Sequence, residues 1–191
     1  MKPVDPLPVK LVLGVLYSDE SLRDEAFSRL EACYGKTDYK SKIFNFDITD
    51  YYVPEMGTPI YRQFISFYRL IHPKELPAIK LECNEIEKEV SLKGNRKVNL
   101  DPGYMDYDKF VLASAKYNGH KVYLDHGIYA DVTYQFSRGR YVPVDFAFPD
   151  FKTSRYSELF LHIRAKYKGQ MRKRMRETAR TESSGPVAGR R

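Results

Sequence analysis

The sequence predicts an α+β fold, a mixed β-sheet with helices mostly on one face. Three observations carry that prediction. Apolar and β-branched residues run or alternate with strand period at residues 9–17, 42–48, 62–71 and 128–136. Between them lie stripes of apolar residues three and four positions apart, the spacing of one helix face. Gly and Pro punctuate the joins.

Each element follows from its residues. Pro3, Pro6 and Pro8 make an extended lead-in. Val9–Tyr17 is almost wholly apolar, as in a central strand covered on both faces. Ser18 or Asp19 caps a helix whose stripe is Leu22, Ala26, Leu30 and Cys33, and Gly35 stops it. Lys42–Ile48 alternates as a strand. Thr49–Pro59 is turn-rich. Arg62–Ile71 has a helix-compatible spacing, but its aromatic and β-branched content favours a strand.

Pro73 and Pro77 open a second helix, with Ile79, Cys83, Ile86 and Val90 inward and Gly94 at its end. Arg96–Asp101 is a short strand broken by Pro102-Gly103. Asp106 caps a helix over Tyr107–Tyr117. Lys121–Leu124 and Ile128–Phe136 are strands, and Arg138-Gly139 turns the chain into a hairpin with Tyr141–Phe146. A last helix runs from Ser154 through Tyr167. The first six elements read strand, helix, strand, strand, helix, strand, the order of a ferredoxin-like split βαβ core. The remainder extends it by a helix, a β-hairpin and a C-terminal helix, with each crossover helix placed between neighbouring parallel strands.

A chain of 191 residues fits one domain, here residues 1–168, with a basic tail over 169–191. Sixteen Tyr and eleven Phe stand beside no Trp, so many tyrosines should be half-buried with the hydroxyl on a polar partner. Cys33 and Cys83 fall on apolar helix stripes, as buried thiols do, and make no disulfide framework. Neither a signal peptide nor a run of about 20 apolar residues is present, which points to the cytoplasm and away from the membrane. Net charge is +7, but Arg164–Arg191 holds ten of the 32 Lys and Arg with two Glu, so the domain itself is near neutral.

Polar side chains gather where the strands end. Asp47, Asp50, Tyr51 and Glu55 follow the second strand, and Arg62 opens the third. Asn99, Asp101 and Tyr104 close the fourth, with "NLDPGY" read as a turn aiming Asp101 and Tyr104 outward. His120, Tyr129 and Asp131 surround the fifth, and Asp150 follows the hairpin. Asp and Asn also serve turns and caps through nearby backbone N–H groups, and both readings stand. As a ligand site, these residues suit a small molecule, nucleotide or phosphate, with Arg62, Arg69, Arg96 and Lys80 as anion partners. Facing carboxylates would suit Mg²⁺.

His120 reads equally as a residue bonded to backbone. No HExxH, Cys/His zinc spacing, GxSxG or P-loop is present, and "GKTD" at Gly35–Asp38 lacks the preceding glycines. Lys166–Arg180 suits an extension of the last helix, and Ser183–Pro186 suits disorder. A basic tail grips nucleic-acid backbone or stays solvated, and no aromatic interleaves Met171–Arg191 for base stacking. An aromatic-rich scaffold or oligomerising protein without catalysis is the third alternative, and oligomeric state is open.

Several strings taken together carry a resemblance: "LYSDE" at Leu16–Glu20, "TDYYVPEMG" at Thr49–Gly57, "LPAIKLECNEIE" at Leu76–Glu87, "VNLDPGY" at Val98–Tyr104, "GIYADVT" at Gly127–Thr133 and "FPDF" at Phe148–Phe151. The chain resembles the bacterial family called domain of unknown function 4416 (DUF4416), over the domain but not the tail. That resemblance implies a cytoplasmic bacterial or archaeal protein and implies no activity. Some relatives carry a GTP-binding label.

Overall fold

The computed structural model describes residues 2–183; of the disorder expected over Ser183–Pro186, Ser183 is instead helical and residues 184–186 lie outside the described residues. Val9–Tyr17 forms strand β1, buried at every position. Helix α1 (Glu20–Tyr34) starts at Asp19, whose carboxylate accepts from the Leu22 N–H at 3.0 Å, and stops at Gly35, where φ is 83°. Two short strands follow, β2 (Thr37–Lys40) and β3 (Phe44–Asn45), then helix α2 (Val53–Met56) and strand β4 (Tyr61–Ile71). A 3-10 turn at Pro73–Glu75 leads into α3 (Leu76–Glu89). Then come β5 (Val98–Met105), β6 (Lys109–Ser114), β7 (Val122–Asp125), β8 (Ile128–Ser137) and β9 (Arg140–Pro143). Helices α4 (Pro149–Lys152) and α5 (Ser157–Ser183) complete the chain.

All nine strands join one sheet in the order β2-β4-β1-β5-β6-β8-β7, with β3 on β4 and β9 on β8. Every pairing is antiparallel, which corrects the expected mixed sheet. The strands joined by α1, β1 and β2, and those joined by α3, β4 and β5, are not neighbours. The strand β4 lies between β2 and β1, and β1 lies between β4 and β5.

Helices cover both faces, not mostly one. Alternation along β1 decides this, because successive side chains point to opposite faces. Leu11, Leu13, Val15 and Tyr17 pack with α1 and α3. Val12 packs with Phe64, Phe110 and Tyr134 under Phe151 of α4 and Phe160 of α5. Both faces of the central strands are apolar, so each needs a cover.

Three local expectations are corrected. Residues 107–117 are not a helix. The Asp106 carboxylate accepts from the Asp108 and Lys109 N–H groups at 2.8 Å, but it closes a turn between β5 and β6. The strand β5 does not break at Pro102-Gly103. It runs through both residues, which pair with Leu13 and Val12 of β1. Cys33 is exposed, and only Cys83 is buried.

Gly103 shows why that dipeptide suits a strand. A Cβ there would lie 2.5 Å from the Val111 carbonyl oxygen and 2.9 Å from the Phe110 ring. Gly103→Ala is expected to cost about 3 kcal/mol, the upper part of the overpacking range, because a backbone atom must move. Urea denaturation checks it, and a loss near zero would show that β6 shifts freely.

The helix α5 crosses residue 168 without interruption. Tyr167 donates to the Pro8 carbonyl at 2.9 Å, and Met171 is buried. Arg172–Arg176 lies on exposed turns beyond. Among the described residues, no helix is long and apolar enough to cross a membrane.

Candidate functional site

The strands β5 and β6 pair only from Gly103↔Leu112 to Met105↔Phe110. Beyond that point they part, since Val98–Pro102 keeps β1 on one side and has no strand on the other. A missing N–H at Pro102 is tolerated in such an edge-like setting. A cavity of about 310 Å³ opens at the fork. Its wall takes Arg62 from β4, Asn99 and Asp101 from β5, and Leu112 and Ser114 from β6. Asp131 of β8 and Asp150 of α4 join them, and α3 adds Lys80 and Asn84 from beyond the other face. Tyr51, Tyr52 and Phe148 supply aromatic surface.

Arg62 is 4% exposed. Its Nη2 lies 3.2 Å from Asp150 Oδ2, without hydrogen-bond alignment. Among the described residues, Nε and Nη1 have no hydrogen-bond partner. The guanidinium carbon is 5.1, 5.6 and 5.7 Å from the rings of Phe46, Phe64 and Phe151. It lies over Gly14, where a Cβ would come within 2.8 Å of Nη1. The missing side chain in β1 therefore makes room for the arginine. Burial pushes the Asp150 carboxyl above its ordinary range, and the Arg62 charge pulls the other way.

A second group of charges is fully engaged. Arg96 donates from Nη1 to Glu87 at 2.7 Å and to Asn99 Oδ1 at 2.8 Å. Its Nε and Nη2 grip Glu55 as a fork, at 3.2 and 2.9 Å. Asn99 Nδ2 donates to Asp101 at 2.8 Å. Lys80 donates to the Leu100 carbonyl at 2.7 Å and stands 3.8 Å from both Glu87 and Asp101. Burial raises the Glu87 carboxyl, against Lys80, Arg96 and the Leu100 N–H. Burial also works against the Arg96 charge, but Glu55 and Glu87 outweigh it and hold that guanidinium above its usual value.

Asp131 is 2% exposed. Oδ2 meets Lys121 Nζ at 3.2 Å. Oδ1 has no hydrogen-bond partner, and His120 Nε2 stands 3.7 Å from it, beyond hydrogen-bond reach. His120 stacks on Phe146 at 4.1 Å, and Lys121 lies over Phe148.

Of the candidates read from sequence, Arg62, Asn99, Asp101, Asp131, Tyr51 and Asp150 share the cavity wall. Glu55 stands behind it, holding Arg96, and His120 stands behind Asp131. Tyr51 is exposed, and its hydroxyl accepts from Lys116, which lowers its pKa. Four candidates are elsewhere. Asp47 is exposed beside Arg155 at 3.3 Å. Asp50 is exposed and serves the turn into α2, its carbonyl accepting from Val53. Tyr104 packs on the α3 side, because residues 101 and 104 of one strand face opposite ways. The Tyr129 ring meets Tyr117 and Tyr123 away from the cavity. Arg69, an expected anion partner, pairs with Glu75 instead.

Sequence reasoning passed over Asn84, Ser114 and Lys116. The last two lay inside the expected helix at 107–117. Asp131, named from sequence, carries a local signal of its own, a carboxylate within the apolar alternation of β8. Among the described residues no three His, Cys, Asp or Glu are grouped to hold a metal ion, so an Mg²⁺ here would depend on ligand oxygens as well.

No curated protein and no solved structure matches the chain. A family model described as domain of unknown function (DUF4416) matches residues 7–167. The fork, the cavity and every wall residue lie within that span, and the chain belongs to the DUF4416 family.

Proposed function

We propose that the cavity binds a small anionic ligand of the nucleotide or phosphate class, with Arg62 as its anion receptor, in a cytoplasmic protein. One observation carries this reading: a buried guanidinium at the cavity wall keeps two nitrogens without partners. Burying a charge without its hydrogen bonds is costly, and a ligand oxygen would supply them. Tyr52 and Phe148 suit a planar ring. The scaffold supports a ferredoxin-like reading of the first half, since each of its βαβ units is split by one intervening strand.

Calorimetric titration with inorganic phosphate and with nucleoside mono-, di- and triphosphates, with and without Mg²⁺, tests the reading. At least one should bind. The double variant Arg62→Met, Asp150→Leu replaces a buried ion pair by apolar groups, an exchange that proteins often tolerate. It should keep a cooperative unfolding transition and lose affinity about tenfold or more, the value of a charge-assisted hydrogen bond. Wild-type protein that takes up none of these compounds would refute the proposal.

A further inference from the structure

The cavity is not a plain anion hole, because its wall carries three carboxylates, Asp101, Asp131 and Asp150. The cations opposite them are mostly spent. Lys80 and Arg96 are tied to the β5 backbone, Asn99 and Glu87. Lys116 sits on the Tyr51 hydroxyl. Of these, Arg62 has side-chain nitrogens with no hydrogen-bond partner among the described residues. A triphosphate would therefore bring several negative charges to one guanidinium already beside Asp150, and to three acids, two of them buried. Like charges at that burial oppose each other.

Asp131 adds a positive requirement. Its register against Leu112 of β6 fixes it beside the fork. Lys121 holds Oδ2 at 3.2 Å, and Oδ1 is left as an acceptor with no donor. A buried acceptor of this kind is matched by a donor on whatever fills the cavity.

We infer that the ligand is a phosphomonoester bearing hydroxyl or amino donors, its phosphate on Arg62 and a donor on Asp131 Oδ1. Asp131 is then a specificity residue that favours monophosphates and disfavours triphosphates. This rests on the anion-receptor reading of Arg62 and narrows it.

The test measures dissociation constants in EDTA for inorganic phosphate, ribose 5-phosphate, AMP and ATP. Wild-type protein should bind AMP or ribose 5-phosphate at least tenfold more tightly than phosphate or ATP. Asp131→Asn should narrow both ratios at least fivefold. Lys10→Met, which disrupts a buried ion pair with Asp38 outside the cavity wall, should leave them within twofold, whereas an effect of Asp131→Asn through stability alone would make the two variants behave alike. ATP binding as tightly as AMP overturns the inference even if Asp131→Asn does not fold. So do ratios that Asp131→Asn leaves unchanged. Arg62-dependent binding with no Asp131 effect removes the specificity assignment alone. Wild-type protein that binds none of the four removes the anion receptor as well.

Discussion

Phe160→Ala is expected to lower stability by about 3–5 kcal/mol, the range for emptying a buried aromatic site. Phe160 is 0% exposed and stands at the centre of the core under α5. Its ring centroid lies 4.8 Å from Phe110, 5.0 Å from Tyr134, 5.4 Å from Phe64 and 5.8 Å from Tyr141. These neighbours come from β4, β6, β8 and β9, so no single element can collapse into the space. Urea denaturation followed by tyrosine fluorescence reads the change as a lower midpoint with an unaltered slope. A loss under about 1 kcal/mol would mean that the cluster repacks as readily as a liquid, against the close packing of protein interiors.

Lys10→Met is expected to cost a similar amount, about 3–5 kcal/mol, for an electrostatic reason. Lys10 is 0% exposed within β1. It donates to the Asp38 carboxylate, to the Phe67 carbonyl at 2.6 Å and to Gln170 Oε1 at 2.8 Å. Burial lowers its pKa, and Asp38 opposes that shift. Methionine fills the volume but strands a carboxylate that keeps only Ser66, at 2.6 Å, among these partners. Adding Asp38→Asn should restore part of the loss, so the double variant should be less damaged than the two single effects summed. Strict additivity in thermal or urea unfolding would show that the two residues are not coupled.

The strong local signals held. The apolar run of β1, the helices α1 and α3 and the β8–β9 hairpin lie where sequence placed them, although α3 ends at Glu89, ahead of Gly94, and β9 ends at Pro143, short of Phe146. Two of the misreadings have one root, a local motif with two uses. An Asp ahead of two free N–H groups caps a helix or closes a turn with the same bonds. What makes Lys109–Ser114 a strand is pairing with β5 and β8, which no local window contains. Pro102-Gly103 looks like a break until Phe110 and Val111 crowd it from the next strand.

The same limit governs the site. Arg62, Asn99, Asp101 and Asp150 carried a strand-end signature. Gly14, which makes room for Arg62, looks in sequence like any glycine in an apolar strand. Asp131 points to the cavity only once β8 is in register with β6.

The ties of Lys10 have an implication for biosynthesis. Its ammonium is sealed by Gln170, 160 positions later, and the carbonyl of Pro8 is met by Tyr167. A ribosome delivers β1 and its neutralising Asp38 early, and the α5 residues that cover the lysine only much later. A nascent chain halted before α5 emerges would hold the opening strand with its lysine uncovered, so β1 reaches its native surroundings only once α5 has been made.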